Sequence, residues 1–533
     1  MDPVDLVTVV SRGLTHDPGL ALAELLAADP DGADESLQAG VVFLLVLACR
    51  FDEALDSAHL LAAAPNPSRL ARAASDMAVA VCAGAVTTDP SGERPDGPLG
   101  ELTAMLEVEA AMSSGLIAAA AHTAGATVEQ RGVETAFGVW NTLALARARC
   151  FEGQFAAADT LIDRVLSAPT VEAWPQLHLL ASTARIFVDA HRGRVDDVLA
   201  GLEALRVTCP DEGADDYVFA GAHVLAAFGA STIGLLPEAA ELVLRGGGGE
   251  HLPHLQIVDR LYGYEILVEE ALAAGDLARA RGWSERAAGL PVGDHRMASA
   301  ALGRLRARLS VASEDTDSGI RESADSGMLA ALVGSDLEVV RARIIESSAR
   351  VASGDRIRGI EELEEAARRA GANGSASIKR WAERELRLHG RRLRNVPGHG
   401  WDALNPTQQS IARLAAAGLR NREIAAALWI SEKTVESHVA AVLGALGTTN
   451  RVGIGRELGG SAIDPLFGLD LTVRQREVAV LVAEGHSNSE ISSTLGISEK
   501  TVEKHMAGLF DRLGVRTRSA VAARVRGVQA TSP

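Results

Sequence analysis

Residues 418–438 read Gly-Leu-Arg-Asn-Arg-Glu-Ile-Ala-Ala-Ala-Leu-Trp-Ile-Ser-Glu-Lys-Thr-Val-Glu-Ser-His, and residues 485–505 read Gly-His-Ser-Asn-Ser-Glu-Ile-Ser-Ser-Thr-Leu-Gly-Ile-Ser-Glu-Lys-Thr-Val-Glu-Lys-His. The second stretch follows the first by 67 residues, and Leu404 to Arg451 overlies Leu471 to Arg518 without a gap, agreeing at 22 of 48 positions. Such agreement means one folded unit written twice. Each copy parses as a helix-turn-helix. Ile411, Leu414 and Ala415 form the apolar stripe of an opening helix, which Gly418 ends. Asn421 is expected to cap a short second helix carrying Glu423 in its first turn, and Ser431 to cap a third. The second copy repeats these features with Val478, Leu481, Val482, Gly485, Asn488, Glu490 and Ser498.

The third helix carries the functional signal. Val435, Val439, Val442, Leu443 and Leu446 recur at helical spacing and face a core, as do Val502, Met506, Leu509, Phe510 and Leu513. The opposite face is left with Lys433, Glu436, Ser437, Ala440, Ala441 and Gly444 in one copy and Lys500, Glu503, Lys504, Ala507, Gly508 and Asp511 in the other. Small residues there let a helix axis sit deep in a major groove. Thr434 and Thr501, near the helix starts, are placed to donate to phosphate. His438 and His505 lack a second ligand in the pattern and are expected to pack against the module or touch phosphate.

These segments resemble the DNA-binding domain of the LuxR/NarL class of bacterial regulators. The motif opens at Leu404-Asn405-Pro406 or Leu471-Thr472-Val473, runs through Asn-x-Glu-Ile and Ser-Glu-Lys-Thr-Val-x-x-His, and closes with Leu446-Gly447 and Arg451, or Leu513-Gly514 and Arg518. The resemblance implies two four-helix domains, 400–458 and 471–528, joined by a 459–470 linker. It implies double-stranded DNA as partner, with the third helix reading bases and Arg451 and Arg518 among the contacts. It also implies a fourth helix that pairs domains into a homodimer, and a contact to RNA polymerase. Where relatives carry Lys or Arg at base-reading positions, this chain has Glu436-Ser437 and Glu503-Lys504. The second copy, which adds Arg512 where the first has Ala445, is expected to supply more phosphate affinity.

Upstream, Gly153, Gly193, Gly234, Gly275 and Gly354 open segments with a shared grammar: an apolar residue at +2 in four of the five, small or apolar residues at +5 and mostly at +9 and +12. Their spacing is about 40 residues, the last gap being two periods, and a relative without the glycine runs from Phe51. Gly ends one helix and the stripe buries the next. The grammar resembles tetratricopeptide repeats, so residues 1–395 are read as a TPR-like solenoid that binds a protein or small-molecule effector; an Ala-rich bundle with chance glycines is the alternative. The expected fold class is therefore all-α throughout. Thr87 to Gly100 reads as a loop, Ser313 to Gly327 as a mobile insertion, and Val396 to Gly400 as a boundary.

Trp381-Ala-Glu-Arg-Glu-Leu-Arg resembles the run-in of large ATP-binding LuxR regulators. The chain departs from them in having only Lys379, Lys433, Lys500 and Lys504, none after a glycine, so no phosphate loop is read and no cofactor is expected. From His399 onward there are 15 Lys and Arg against 13 Asp and Glu, leaving 37 against 57 for the acidic body. That asymmetry suits nucleic-acid contact confined to one end. Four scattered cysteines, no basic-apolar leader and short apolar runs point to a cytoplasmic protein off the membrane. No nucleophile, zinc or phosphate-loop constellation suggests an enzyme. The rival class is an interaction scaffold whose modules make protein or dimer contacts instead of reading DNA.

Overall fold

The computed structural model describes residues 3–29, 32, 34–84, 96–208, 216–391, 404, 406–416, 419–428, 430–445, 473–483, 486–495 and 497–525. Two compact units divide the chain, Met1–Leu393 and Arg394–Pro533. The described residues contain helices and no strand, and no helix among them is long and apolar enough to cross a membrane.

The first unit is a run of helix hairpins. From Ala136 they are Ala136–Phe151 with Phe155–Leu166, Pro175–Arg192 with Val195–Thr208, Tyr217–Ile233 with Leu236–Gly246, and Ile257–Ala273 with Leu277–Ala288. Arg296–Ala312 with Thr316–Leu332, then Asp336–Ser353 with Arg356–Ala372, precede a closing helix, Ala376–Leu388. The turns explain the glycine grammar. Gly115, Gly153, Gly193, Gly234, Gly275 and Gly354 have φ between 73° and 102°, the left-handed region that favours glycine. After Gly153, Phe155, Ala158, Ile162 and Val165 are all buried. The +2 position is looser: Val195 is exposed.

Two repeats escape the glycine search. Ser313 to Gly327 is no mobile insertion. Glu314 adopts the same left-handed turn at φ 64°, and the helix Thr316–Leu332 follows. Its stripe is Gly319, Ser323 and Ser326, small polar residues at +5, +9 and +12 that are all buried. Their hydroxyls are satisfied locally: Ser323 donates to the Gly319 carbonyl and Ser326 to that of Ala300. Gly115 likewise heads a hairpin whose second helix buries Ile117, Ala120 and Ala124. Left-handed turns therefore recur every 38 to 41 residues from Gly115 to Gly354. Of the expected loop at Thr87 to Gly100, 87–95 lies outside the described residues and Gly97 already begins the helix Gly97–Ser113.

The run of hairpins curls back on itself. Asp336–Ser353 packs on Ala136–Phe151, and Ala376–Leu388 packs on Pro175–Arg192 and Tyr217–Ile233. Ser377 donates to the Ala190 carbonyl across this closure. One apolar core consequently joins Leu6 and Phe43 to Leu363 and Leu386. A charged knot lies within the unit: the fully buried Arg304 grips Glu265 through Nε at 3.1 Å and Nη2 at 3.0 Å, and Arg341 reaches Glu265 and Glu338 at 3.1 Å each. Burial raises the Glu265 pKa, but Arg304, Arg341 and Arg308 outweigh it and hold the carboxyl at about 2. Among the described cysteines, Cys49, Cys82 and Cys150 are free thiols.

Candidate nucleic-acid interface

Each module of the second unit has its own small core. In the first, Pro406–Ala416, Asn421–Leu428 and Glu432–Ala445 enclose Ile411, Ala415, Ile424, Val435 and Val442. In the second, Val473–Ala483, Asn488–Leu495, Glu499–Leu513 and a fourth helix, Arg518–Val525, enclose Val478, Val482, Ile491, Val502 and Val521. The opening helices end alike, with the Leu419 and His486 amides donating to the Leu414 and Leu481 carbonyls, each at 3.1 Å. That six-residue closure is the C-terminal signature expected around Gly418 and Gly485, which themselves lie outside the described residues.

The second helices start one residue earlier than the sequence suggested. Ser487, not Asn488, is the cap: its Oγ accepts from the Glu490 amide at 3.3 Å while Glu490 Oε2 accepts from the Ser487 amide at 2.7 Å. This reciprocal box satisfies two otherwise orphaned donors, more than Asn488 alone could offer. Ile424 donates to the Arg420 carbonyl at 3.0 Å, so Arg420 takes the equivalent place and Asn421 becomes the first helical residue. The third helices are capped as expected. Ser431 Oγ accepts from the Thr434 amide at 3.1 Å and Ser498 Oγ from the Thr501 amide at 3.2 Å. The Thr434 and Thr501 hydroxyls lie 2.7 and 2.8 Å from those same serines, which fixes their rotamers.

Along the third helices, Val435, Val439 and Val442 are sealed inward, as are Val502, Met506 and Leu509. Lys433, Thr434, Glu436, Ser437 and Ala440 are exposed on the first copy, and Lys500, Glu503, Lys504 and Ala507 on the second, with Thr501 half-buried. Both copies thus offer a convex solvent face of small and charged groups on a helix whose N-terminal amides are ordered. Gly508 differs from its neighbours in being half-buried, with a Cβ there coming within 2.8 Å of Nε2 of the Gln475 side chain on the first helix. His438 and His505 are half-buried, and no group of potential metal ligands occurs among the described residues.

The closing arginines divide. Arg451 lies outside the described residues. Arg518 is half-buried and turned onto its own module, where Nη1 donates to Asn488 Oδ1 at 2.7 Å and Nη2 donates to the His486 carbonyl. The interaction ties the fourth helix to the start of the second, a tie that the motif does not reveal. Between modules, Pro406–Ala416 touches Arg518–Val525, and Arg420 Nη2 donates to the Arg516 carbonyl at 3.3 Å.

Residues 402–457 and 469–525 match the family described as bacterial regulatory proteins, luxR family. Both modules are LuxR-family helix-turn-helix domains. Related sequence is found in Rv0890c of Mycobacterium tuberculosis, named as an HTH-type transcriptional regulator, at 41% identity over 63 residues, 12% of this chain and 7% of that one. The nitrate/nitrite response regulator protein NarP of Escherichia coli is 45% identical over 65 residues, 12% of this chain and 29% of its own. The transcriptional regulatory protein MctR of Rhizobium johnstonii is 36% identical over 89 residues, 16% of this chain and 40% of its own. The similarity therefore spans well under half the length of each of these regulators. A solved structure of Naa15/Naa10 bound to HypK-THB aligns along 96% of this chain, at 13% identity and a TM-score of 0.18 that carries no argument about fold.

Proposed function

We propose that this chain is a DNA-binding transcriptional regulator whose two LuxR-type modules place their third helices in adjacent major grooves. The observation that carries this is the pair of capped third helices, each sealed on its apolar side and bare on the other. Lys433, Glu436, Ser437 and Ala440, with Lys500, Glu503, Lys504 and Ala507, face the bases or flanking phosphates, and Thr434 and Thr501 lie against the backbone. Arg451 adds a phosphate contact. Arg518 holds the second module in shape while its neighbour Arg516, which is exposed, reaches the backbone. The 459–470 linker, about 12 residues, extends at most roughly 40 Å, enough for half-sites separated by about 34–36 Å.

The contact between Pro406–Ala416 and Arg518–Val525 joins unlike elements. A two-fold pair would bring the same element together from each side. That supports a head-to-tail clamp reading direct repeats, in place of a symmetric pair reading a palindrome. The hairpin body, residues 1–395, acts as a TPR-like solenoid that responds to an effector, and the regulator works in the cytoplasm as a homodimer that contacts RNA polymerase. Selection of bound duplexes from a random pool tests the reading. Enrichment of two like-oriented half-sites about one helical turn apart supports it. An inverted pair overturns the head-to-tail clamp, and a chain that enriches no sequence and associates only with protein is the interaction scaffold instead.

A further inference from the structure

Where the hairpins close, they line a partly open cavity of about 430 Å³, within the range of about 300–1,000 Å³ that takes small-molecule ligands. Its wall draws on both ends of the curl, with Trp140 from one hairpin and Trp381 from the closing helix. One side is aromatic. Phe187 and Phe228 meet edge-to-face at 5.9 Å, and Phe228 meets Tyr262 in the same way at 5.1 Å. Two deeply buried polar atoms on this wall have no hydrogen-bond partner among the described residues: the Tyr262 hydroxyl and Gln256 Oε1. Leaving such groups unbonded costs about 1–3 kcal/mol each, which a ligand recovers if it packs on the ring faces and brings a polar atom to these two groups.

The charges sort by depth. The carboxylates that line the cavity are already engaged: Glu269 with Arg308 at 3.0 Å, Glu338 with Arg341 at 3.1 Å, and Asp259 with Gln256 Nε2 at 2.8 Å. At the mouth, Arg380, Arg384 and Arg387 share one face of Ala376–Leu388 and are exposed. None of the three pairs with a carboxylate among the described residues; Arg380 donates only to Ser377 Oγ, at 2.7 Å. Three like charges on adjacent turns repel one another and gain most from a shared anion.

We propose that this cavity binds a small amphipathic anion, with an apolar ring or chain against Phe187, Phe228 and Tyr262 and a carboxylate, sulfonate or phosphate at Arg380, Arg384 and Arg387. The proposal rests on the reading of the body as an effector-binding unit and gives that effector its chemical class. The modest volume favours a small molecule over an extended peptide, and the arginine mouth favours an anion over a neutral sugar or a cation. Gly221 offers a clean probe of the space, because it lines the cavity and a Cβ built on it meets nothing within 4 Å.

The test uses the full chain with two fluorescent probes of similar aromatic body, 8-anilinonaphthalene-1-sulfonate and the uncharged N-phenyl-1-naphthylamine. The sulfonate is expected to bind saturably at one per chain and about tenfold more tightly than the neutral probe, the difference one charge-assisted contact supplies. The exposed pair Arg384→Gln/Arg387→Gln should remove that tenfold advantage and leave the neutral probe unchanged. Gly221→Phe should abolish both without changing the circular dichroism. Equal affinity for the two probes, indifference to the arginine pair, or sulfonate binding that survives in folded Gly221→Phe would each overturn the proposal. If Gly221→Phe does not fold, the arginine pair alone decides. Duplex binding measured on the same samples keeps the two readings apart: a chain that ignores DNA but takes the sulfonate as described retains the cavity site and loses the regulator.

Discussion

At the scale of single residues, the exposed starts of the two third helices share Lys, Thr and Glu and first part at Ser437 and Lys504. Ser437 and Lys504 occupy equivalent exposed places, and only the lysine carries a cation there. Lys504→Ala is therefore expected to weaken duplex binding more than Ser437→Ala in anisotropy titrations, and to reduce the salt slope by about one. The reverse order would refute the ranking of the copies. Arg518 shows where sequence reasoning stopped. Its position in the repeated motif was legible, but its tie to Asn488 and the His486 carbonyl was not, because an arginine's partners within a module leave no trace in one dimension. In the body, Glu265 is the most consequential carboxylate. Its depressed pKa means its stabilising effect is complete above the ordinary carboxylate range near 4.5 and is lost as pH falls toward about 2. Glu265→Gln leaves Arg304 and Arg341 buried beside a neutral amide and should cost roughly 3–5 kcal/mol of stability at pH 7 by denaturant melts. It should also flatten the acid limb between those pH values. His191 and His223 act in the same direction at milder pH. Burial lowers both to about 4, so stability falls as pH drops from about 6.5 toward 4, where the unfolded chain takes protons that the folded one refuses.

At the scale of elements, the sequence revealed most of what recurred and little of what substituted. Two module sentences that agree at 22 of 48 positions made the described helices of the second unit placeable, and the glycine turns exposed most of the hairpins. The Thr316–Leu332 hairpin was missed for a physical reason. Its turn uses a glutamate in the left-handed region, and its buried stripe is made of Gly and Ser that bond to helix carbonyls, so no apolar period was visible. The structure makes that stripe intolerant of bulk. A Cβ at Gly319 would come within 2.6 Å of Val311 Cγ2, so Gly319→Val should overpack the hairpin and cost about 1–3 kcal/mol in thermal or denaturant melts. No loss of stability would return the segment to the status of a loose insertion. The cap shift in the second helix has a similar origin: a reciprocal Ser-Glu box displaced the single asparagine that the pattern favoured. For the third helix, Ser498→Ala removes the side-chain acceptor for the Thr501 amide and should raise amide exchange across Glu499–Leu513 by an amount worth about 1 kcal/mol.

At the scale of the whole molecule, charge and architecture divide labour along the chain. The hairpin body carries the acidic excess, while the residues from His399 onward are nearly balanced. On the proposed function such a chain would gain its DNA affinity locally, from a few cations on two helices, and would lose it quickly as salt competes for phosphate. The most direct measurement is the equilibrium affinity of the full chain for a selected duplex, followed by fluorescence anisotropy as salt rises from about 50 to 200 mM, with Lys433→Ala/Lys504→Ala alongside. The account predicts tight binding at the low end, a loss of at least about a hundredfold across the range, and a shallower slope for the double variant. An affinity that ignores both salt and the two lysines, or no affinity for duplex at the lowest salt, would contradict it.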